Sequence, residues 1–148
     1  MLAEAVETSF DFRALVRQHQ ATVFSIALHF LRDRATAEEV AQEVFFSLHR
    51  NLHQIETPAH AAAWLRKVAV QRSIDEGRRR SRRPQVALAD VAEPVAGVRP
   101  GDPLLSELLR KLISTLPEAP RMVMVLRYQE DLEPAEIAAA LEIGRAHV

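Results

Sequence analysis

The chain has 148 residues, of which 48% are hydrophobic and 26% charged, a composition typical of a folded protein with one domain or two small ones. It has no cysteine, which excludes disulfide bonds and thiolate metal sites, and it contains neither a phosphate-binding loop nor a dinucleotide-binding glycine motif. No apolar run is long enough to span a membrane, and the acidic N-terminus does not match a signal peptide, so a cytoplasmic location is expected.

The net charge of −1 is unevenly distributed along the chain. Residues 66–83 include eight basic residues and only two acidic ones. The basic residues are Arg66, Lys67, Arg72, Arg78, Arg79, Arg80, Arg82 and Arg83. Guanidinium groups fit phosphate oxygens, so this segment predicts a binding track for a nucleic-acid backbone. A solvated helix end, whose dipole favours cations, would explain one or two of these charges but not eight.

Apolar residues recur with a helical period and no alternating strand pattern occurs, which predicts an all-α fold. A first helix is predicted over 10–31, on a stripe formed by Phe12, Leu15, Val16, His19, Val23 and Ile26. A second helix is predicted to begin with a capping box of Thr36 and Glu39. Its apolar stripe is formed by Val40, Val44, Leu48 and Leu52. Thr57 and Pro58 predict the start of a third helix, which ends at the arginines before Pro84.

The segment 84–103 has four prolines and no sustained periodicity, so it is predicted to be a flexible linker. Three shorter helices are predicted after it. The apolar stripe of the first is formed by Leu105, Leu108, Leu109 and Leu112. The apolar stripe of the second is formed by Met122, Val123, Val125 and Leu126. The third begins at Glu133-Pro134. The predicted organisation is therefore a three-helix unit over 10–83, the linker, and a second helical unit over 104–148.

Two further features allow alternative interpretations. Trp64 could stack on an unpaired base beside the basic track, or it could be a core residue at a helical position. The polar residues Glu39, Gln42 and Glu43 share one helix face that Phe46 continues, which fits either a protein interface or a solvated surface.

The histidines and possible nucleophiles do not form a recognisable site. His49 and His53 have a spacing that could hold a metal, but no carboxylate ligand accompanies them. Neither a nucleophile with its base nor a pair of catalytic carboxylates is apparent. We therefore expect no metal, no cofactor and no enzymatic activity.

Three segments, in this order, resemble the extracytoplasmic-function (ECF) group of the sigma-70 family, the bacterial RNA polymerase sigma factors. ATAEEVAQEVFF, at 35–46, resembles the region 2 helix that docks on the clamp helices of the polymerase. AAAWLRKVAVQRSIDEGRRR, at 61–80, resembles the helix that melts the promoter and reads its minus-ten element. LPEAPRMVMVLRYQEDLEPAEIAAAL, at 116–141, resembles the start of region 4, whose helix-turn-helix reads the minus-thirty-five element.

This resemblance implies a promoter-specificity subunit that acts with core RNA polymerase and promoter DNA, both duplex and melted at the minus-ten strand. Many members of the group also bind an anti-sigma factor, which is therefore a further candidate partner. The implied polymerase contacts are Glu39, Gln42, Glu43 and Phe46. The implied DNA contacts are Trp64, Arg66, Lys67, Gln71 and Arg72. The basic track adds Arg78, Arg79, Arg80, Arg82 and Arg83 to the predicted DNA-binding set. The rival functions are a stand-alone helix-turn-helix regulator and a helical adaptor that binds acidic partners.

The chain departs from the group at several positions. Gln71 stands where asparagine is frequent, and Gly77 interrupts a helix that Leu or Arg usually continues, which should weaken the helix end by up to about 1 kcal/mol. Glu133-Pro134 replaces the usual serine-plus-aromatic start of the next helix.

The largest departure is at the C-terminus, where only GRAHV follows Ile143. The region 4-like unit is therefore expected to be partial and to lack its recognition helix. Without that helix, an apolar face formed by Val123, Leu126, Ile137 and Leu141 is expected to have no packing partner. One reading frame of a common sequencing-library adapter also encodes IGRAHV, which suggests the hypothesis that this tail is not native.

Overall fold

The structure, a computed structural model, describes residues 11–82 and 103–141. Every regular element in these two ranges is helical, which confirms the predicted all-α class. The N-terminal unit consists of α1 (Phe12–Leu31), α2 (Arg34–Arg50), a short 3-10 turn (Leu52–Gln54) and α3 (Pro58–Arg82). The C-terminal unit consists of α4 (Pro103–Ser114), α5 (Glu118–Met124), a π-helical turn (Val125–Gln129) and α6 (Pro134–Leu141).

The observed first residues of α2 and α3 test the helix starts that were predicted from the sequence. The predicted start of α3 is confirmed, because Pro58 is its first residue and the Thr57 hydroxyl accepts a hydrogen bond from His60 N at 3.0 Å. The predicted capping box of α2 is wrong. Asp33 is the N-cap residue, and Thr36 lies inside the first turn, where its hydroxyl donates to the Asp33 carboxylate.

The core of the N-terminal unit lies where α1, α2 and α3 meet. The predicted stripes supply buried residues from α1 and α2, namely Leu15, Val23, Ile26, Val40, Val44 and Leu48. On α3 the deepest residues are Ala61, Leu65, Ala69 and Val70, while Trp64 and Val68 are only partly buried. The helix therefore turns a different side to the core from the one that its largest apolar residues suggest.

The C-terminal unit packs against the N-terminal unit through α5, the π-helical turn and α6, which contact α1 and α3. Its buried residues belong to the same apolar cluster as the N-terminal core, and they are Met122, Val125, Leu126, Leu132, Ile137 and Ala140. The expectation that its apolar face has no packing partner is therefore wrong. Leu126 and Ile137 are buried because α1 and α3 supply the surface that covers them.

The helix α4 differs from the rest of the C-terminal unit, because its apolar residues are exposed. The predicted apolar stripe lies on this helix, but Leu105, Leu108, Leu109 and Leu112 are each about half exposed. Three predictions concern residues outside the described ranges. They are the linker, apart from Pro103, which is the first residue of α4, the DNA contact at Arg83, and the C-terminal tail that was expected to lack the recognition helix. None of the helices in the described ranges has a stretch long and apolar enough to cross a membrane.

Candidate functional site

A groove of about 900 Å³ lies on the surface between α1 and α2. Its lining is mainly apolar and aromatic, and includes Phe12, Val16, Phe24, Phe45 and Phe46. Phe46 is 61% exposed, which is unusual for a phenylalanine beside a packed core. The polar residues Gln20, Arg34, Glu38, Gln42 and His49 complete the lining. An exposed aromatic in an apolar groove with polar neighbours is typical of a protein-docking surface.

The structure brings two of the four predicted polymerase contacts into this α1–α2 groove. Gln42 and Phe46 line it, and both are exposed. Glu39 and Glu43 are also exposed on α2, but they do not line the groove. The Glu43 carboxylate lies 3.6 Å from Arg72 Nη1, so this acid faces α3.

The first half of the predicted DNA-binding set lies along α3. Trp64 is partly buried and packs against the core, so it occupies the rim of the core and is not fully exposed. Arg66, Lys67 and Gln71 are also partly buried, and within the described residues none of them forms a side-chain hydrogen bond or ion pair. These three polar groups are therefore available to a ligand.

A small cavity of about 230 Å³ lies beside Arg66, between α1 and α3, and His19 also lines it. Burial and the nearby Arg66 charge lower the pKa of His19 below its ordinary value. The imidazole is thus neutral over a wider pH range and can accept or donate a hydrogen bond there. Sequence reasoning placed His19 in the apolar stripe of α1 but did not connect it with Arg66, because only the packing of α1 on α3 brings the two together.

Arg72 is held in place by a residue that sequence reasoning missed. Its Nη2 donates to the Ser47 hydroxyl at 2.7 Å, and Ser47 is a buried side chain of α2. With Glu43 on its other side, Arg72 connects α2 to α3. Serine in the apolar pattern of α2 was the available signal, because a buried hydroxyl requires a partner.

In the second half of the predicted DNA-binding set, at the end of α3, Arg78 and Arg80 have partners on other helices. Arg78 donates from Nε to both carboxylate oxygens of Glu118 at 3.0 Å. Arg80 donates to the Leu31 carbonyl at 3.3 Å and lies 3.8 Å from the Asp33 carboxylate, so it neutralises the C-terminal end of α1.

The remaining arginines of this end differ in their surroundings. Arg79 pairs with Glu76 on its own helix at 3.4 Å. Arg82 is exposed and forms no hydrogen bond or ion pair within the described residues. We use the term basic face for the described cations of α3, which are Arg66, Lys67, Arg72, Arg78, Arg79, Arg80 and Arg82.

A serine, a histidine and an acid also meet where the two units contact each other. Ser25 Oγ donates to Glu130 Oε2 at 2.6 Å, and His29 Nδ1 donates to the Ser25 carbonyl at 2.8 Å. Burial raises the pKa of Glu130 and lowers that of His29. Because the serine proton is directed at the acid and Nδ1 carries its own proton, this group is not arranged as a nucleophile and its base. No group of three metal-ligating side chains occurs in the described ranges.

The fold and its two surfaces define a class of protein. Proteins of this class have two packed helical units, an aromatic groove that can bind another protein, and a separate helix that carries a cluster of cations. Family comparison makes this class specific. Residues 15–83 match the family model of Sigma-70 region 2, and residues 106–148 match that of Sigma-70, region 4. The chain belongs to the sigma-70 family of RNA polymerase sigma factors, in the ECF group.

Named relatives agree with this assignment. The chain is 30% identical over 144 residues to "Probable RNA polymerase sigma factor RfaY" of Xanthomonas campestris pv. campestris, which covers 90% of this chain and 36% of that protein. It is 29% identical over 147 residues to "ECF RNA polymerase sigma factor SigW" of Bacillus subtilis, covering 89% of this chain and 78% of the relative. It is 26% identical over 146 residues to "RNA polymerase sigma-H factor" of Pseudomonas aeruginosa, covering 88% and 75%. The chain thus spans from about one third to about four fifths of the length of these relatives.

Proposed function

We propose that this chain binds core RNA polymerase through the α1–α2 groove and directs it to promoters by binding DNA through the basic face. The observation that best supports this function is the pair of sigma-70 region matches, in chain order, on a structure that exposes both surfaces. In this proposal the protein has no catalytic activity of its own and works in the cytoplasm as a specificity subunit.

The polymerase contact is assigned to Gln42 and Phe46 together with the groove beside them. Phe46 can bury its exposed ring against an apolar partner, and Gln42 can satisfy the polar groups at the edge of that contact. Glu39 and Glu43 add negative charge next to the groove, which favours a partner surface that carries cations. A coiled pair of helices, such as the polymerase clamp, has the shape that fits a groove between two helices.

The DNA contact is assigned first to Arg66, Lys67 and Gln71, with Trp64 at the rim beside them. The cations bind phosphates, and this binding should weaken steeply with salt as counterions are released. Once the strands separate at the minus-ten element, an unpaired base that stacks on the indole gains about 1–3 kcal/mol. That gain offsets part of the unstacking free energy, so the same helix can bind the duplex and then stabilise its melted strand.

The test is run-off transcription by core polymerase with and without the full-length protein, on a promoter library at low salt. We expect promoter-specific transcripts with the wild-type protein and none with Gln42→Ala plus Phe46→Ala, which should also fail to retain core polymerase in a pull-down. The matched control is Gln54→Ala, an exposed glutamine outside the groove, which should behave as wild type.

A second pair of variants separates the two surfaces. Arg66→Glu plus Lys67→Glu should keep polymerase binding but lose binding to a promoter fork. If the wild-type protein leaves the template choice of core polymerase unchanged, the proposal is wrong. Binding of duplex DNA without polymerase would favour the stand-alone regulator, and capture of neither partner would favour the adaptor. An anti-sigma partner stays a prediction from the resemblance.

A further inference from the structure

The small cavity between α1 and α3 contains polar groups that the rest of the protein leaves without partners. Its polar lining consists of His19 and Thr22 from α1 and Arg66 from α3, and all three side chains are partly buried. Among the described residues, none of these three side chains forms a hydrogen bond or an ion pair. Because partly buried donors without a partner have lost some of their hydration, they gain from a ligand that accepts their hydrogen bonds.

The charge and the size of this cavity restrict the class of ligand that it can bind. Arg66 keeps its positive charge at any working pH, and no acidic side chain of the described residues lines the cavity. An anion is therefore favoured over a cation. The volume of about 230 Å³ is smaller than the roughly 300–1,000 Å³ of pockets that hold drug-sized ligands, so the bound group must be small.

The rest of the lining is apolar and is formed by Val23, Ile26, Ala62 and Leu65. Three of these, Val23, Ile26 and Leu65, belong to the buried core, so this wall is fixed by packing. An inorganic anion would leave the apolar wall without a contact, whereas the sugar next to a phosphate offers carbon atoms to it. A sugar-phosphate thus suits both the polar and the apolar parts of the lining.

The cavity lies at the edge of the basic face, because Arg66 belongs to both. The neighbouring polar residues of α3, Lys67 and Gln71, do not line the cavity, and neither does Trp64. Arg66 therefore differs from them in having donors of α1 beside it. Contacts to phosphate and sugar set the position of a nucleic acid on a protein without reading its sequence. A sugar-phosphate held in the cavity would fix the strand close to the Trp64 indole.

We propose that this cavity is a sugar-phosphate pocket, in which Arg66 and Thr22 bind one backbone phosphate of the promoter and His19 donates a further hydrogen bond to it. This inference rests on the proposed function of the basic face, and it adds His19 and Thr22 of α1 to the DNA contacts. A free nucleotide presents the same chemistry, so the experiment has a second arm that distinguishes this source from DNA.

The histidine should make the pocket sensitive to pH. Burial and the nearby Arg66 charge lower the pKa of His19 in the free protein. A phosphate beside the ring adds negative charge, which raises this pKa, so that binding takes up a proton. Arg66 is the other charged group of the described lining, to which neither α2 nor the π-helical turn contributes a residue. The affinity for DNA should therefore rise as the pH falls from about 8 to about 6.

The experiment scans the phosphates of a promoter fork that is bound by core polymerase together with the full-length protein. Each backbone phosphate is replaced in turn by an uncharged methylphosphonate, and fluorescence anisotropy at about 50 mM salt gives the affinity. We expect one position at which this replacement weakens binding of the wild-type complex about tenfold, as for the loss of a charge-assisted hydrogen bond. At the same position, the complex with Arg66→Gln should lose less than about twofold.

Two further variants test the contribution of α1. Thr22→Val keeps the shape of the side chain without its hydroxyl, and it should reduce the effect of the methylphosphonate at that same position. His19→Gln keeps a hydrogen-bond donor that does not titrate. It should bind the fork like wild type near pH 8 and about threefold to tenfold more weakly near pH 6. A purely structural role of His19 would not produce this difference between the two pH values.

Arg17→Gln is the matched control. It removes the same charge as Arg66→Gln from an exposed arginine of α1 that does not line the cavity. This variant should keep both the tenfold effect of the single methylphosphonate and the pH dependence of wild type. If Arg17→Gln abolished them as fully as Arg66→Gln does, the effect would come from the general positive charge and the pocket would be wrong.

Thymidine 5′-monophosphate tests the free source of the ligand on the full-length protein without polymerase. The His19 ring signal in the NMR spectrum, assigned by its loss in His19→Gln, reports binding. We expect a dissociation constant of about 1 mM or weaker, because a single nucleotide lacks the other contacts of the strand. Binding tighter than about 0.1 mM, with no coupled phosphate in the fork, would show that the pocket holds a free nucleotide and would overturn the assignment to DNA.

The outcomes separate this inference from the function on which it rests. If the wild-type complex binds the fork but no methylphosphonate position is coupled to Arg66, Thr22 or His19, the pocket is wrong and the proposed function stands. If core polymerase binds the fork equally well with and without the wild-type protein, the proposed function is wrong and the pocket is wrong with it.

Discussion

The two surfaces of the N-terminal unit differ in whether the rest of the protein occupies them. The α1–α2 groove is open, with Phe46 61% exposed and the Gln42 side chain accessible. The basic face is occupied in part, since Arg72, Arg78 and Arg80 each contact groups on other helices. The comparison shows that a cluster of like charges in the sequence does not remain a uniform surface after folding.

The physical reason lies in how the two kinds of side chain find partners. A guanidinium on a long flexible stem can reach any nearby carboxylate or carbonyl, so arginines beside other helices acquire partners as those helices pack. An aromatic ring on a helix surface needs a complementary apolar face, which no described neighbour offers to Phe46. The groove is thus free to receive an apolar partner, whereas Arg72, Arg78 and Arg80 would have to leave a partner within the protein before binding a phosphate.

The largest effect is expected when a buried side chain is shortened in the C-terminal unit, because the packing of this unit covers part of the N-terminal unit. Leu126 is fully buried in the π-helical turn that contacts α1, so Leu126→Ala should lower the free energy of unfolding by about 2–5 kcal/mol. Urea unfolding followed by circular dichroism would measure the loss, and hydrogen exchange over 118–141 should become faster. Leu108→Ala, at an exposed leucine of α4, should stay within about 0.5 kcal/mol of wild type. Equal effects of the two variants would mean that the C-terminal unit does not dock as described.

The next test concerns the open groove and should affect binding without affecting stability. Phe46→Ala should weaken core polymerase binding at least about tenfold, since an exposed aromatic in a docking groove is a typical hot spot. Surface plasmon resonance with immobilised polymerase would measure the affinity. His53→Ala, at an exposed residue of the 3-10 turn, is the control. A loss of thermal stability in Phe46→Ala comparable with its loss of affinity would indicate a structural role for the ring.

A smaller effect is expected at the contact between α2 and α3. Ser47→Ala removes the acceptor that holds Arg72 at 2.7 Å and should lower the free energy of unfolding by about 1 kcal/mol. Ser114→Ala, which removes an exposed hydroxyl bonded only to its own helix, should have an effect of no more than about 0.5 kcal/mol. If Ser47→Ala leaves stability unchanged, Arg72 is held by Glu43 alone.

The sequence predicts the helices of this protein better than their contacts. The third helix begins at Pro58 and the last at Pro134 as predicted, because proline and its preceding residue act locally. Helix periodicity likewise placed Gln42 and Phe46 on one face of α2.

What the sequence could not predict depends on distant segments. Asp33, and not Thr36, is the N-cap residue of α2, and its carboxylate lies 3.8 Å from Arg80, which comes from a distant part of the chain. Helix propensity alone describes Gly77 as a defect, but a Cβ atom at this position would lie 3.1 Å from the Phe30 ring, so the glycine lets α1 approach α3 closely. The contacts of Arg72 and Arg78 with Ser47 and Glu118 join residues 25 and 40 positions apart, and no local pattern indicates such pairs.

The smallest expected effect is a pH-dependent difference in stability caused by Glu130, which lies at the contact between the two units. Burial raises the pKa of Glu130 above its ordinary value in the folded protein, so the favourable contribution of its protonated form is present below the unfolded pKa and is lost as pH rises through the folded pKa. Glu130→Gln keeps an acceptor for Ser25 without the buried charge. We therefore expect this variant to be more stable than wild type near neutral pH, by less than about 1 kcal/mol, and equal to it in acid. Urea unfolding from about pH 7 to about pH 3 would measure the difference.

Glu118 serves as the comparison for this test, because the pH dependence of its contribution to stability has the opposite sign. The hydrogen bond from Arg78 lowers the pKa of Glu118, so its contribution to stability is present above the unfolded pKa and is lost as pH falls through the folded pKa. Glu118→Gln should therefore be less stable than wild type near neutral pH and should approach it in acid. The titration of His29, whose pKa burial lowers, cancels from the Glu118 difference, because His29 is hydrogen-bonded to Ser25 and not to Glu118. If Glu130→Gln were instead the less stable variant at neutral pH, the hydrogen bond from Ser25 to the carboxylate would outweigh the burial of its charge, and the unit interface would depend on two ionised acids instead of one.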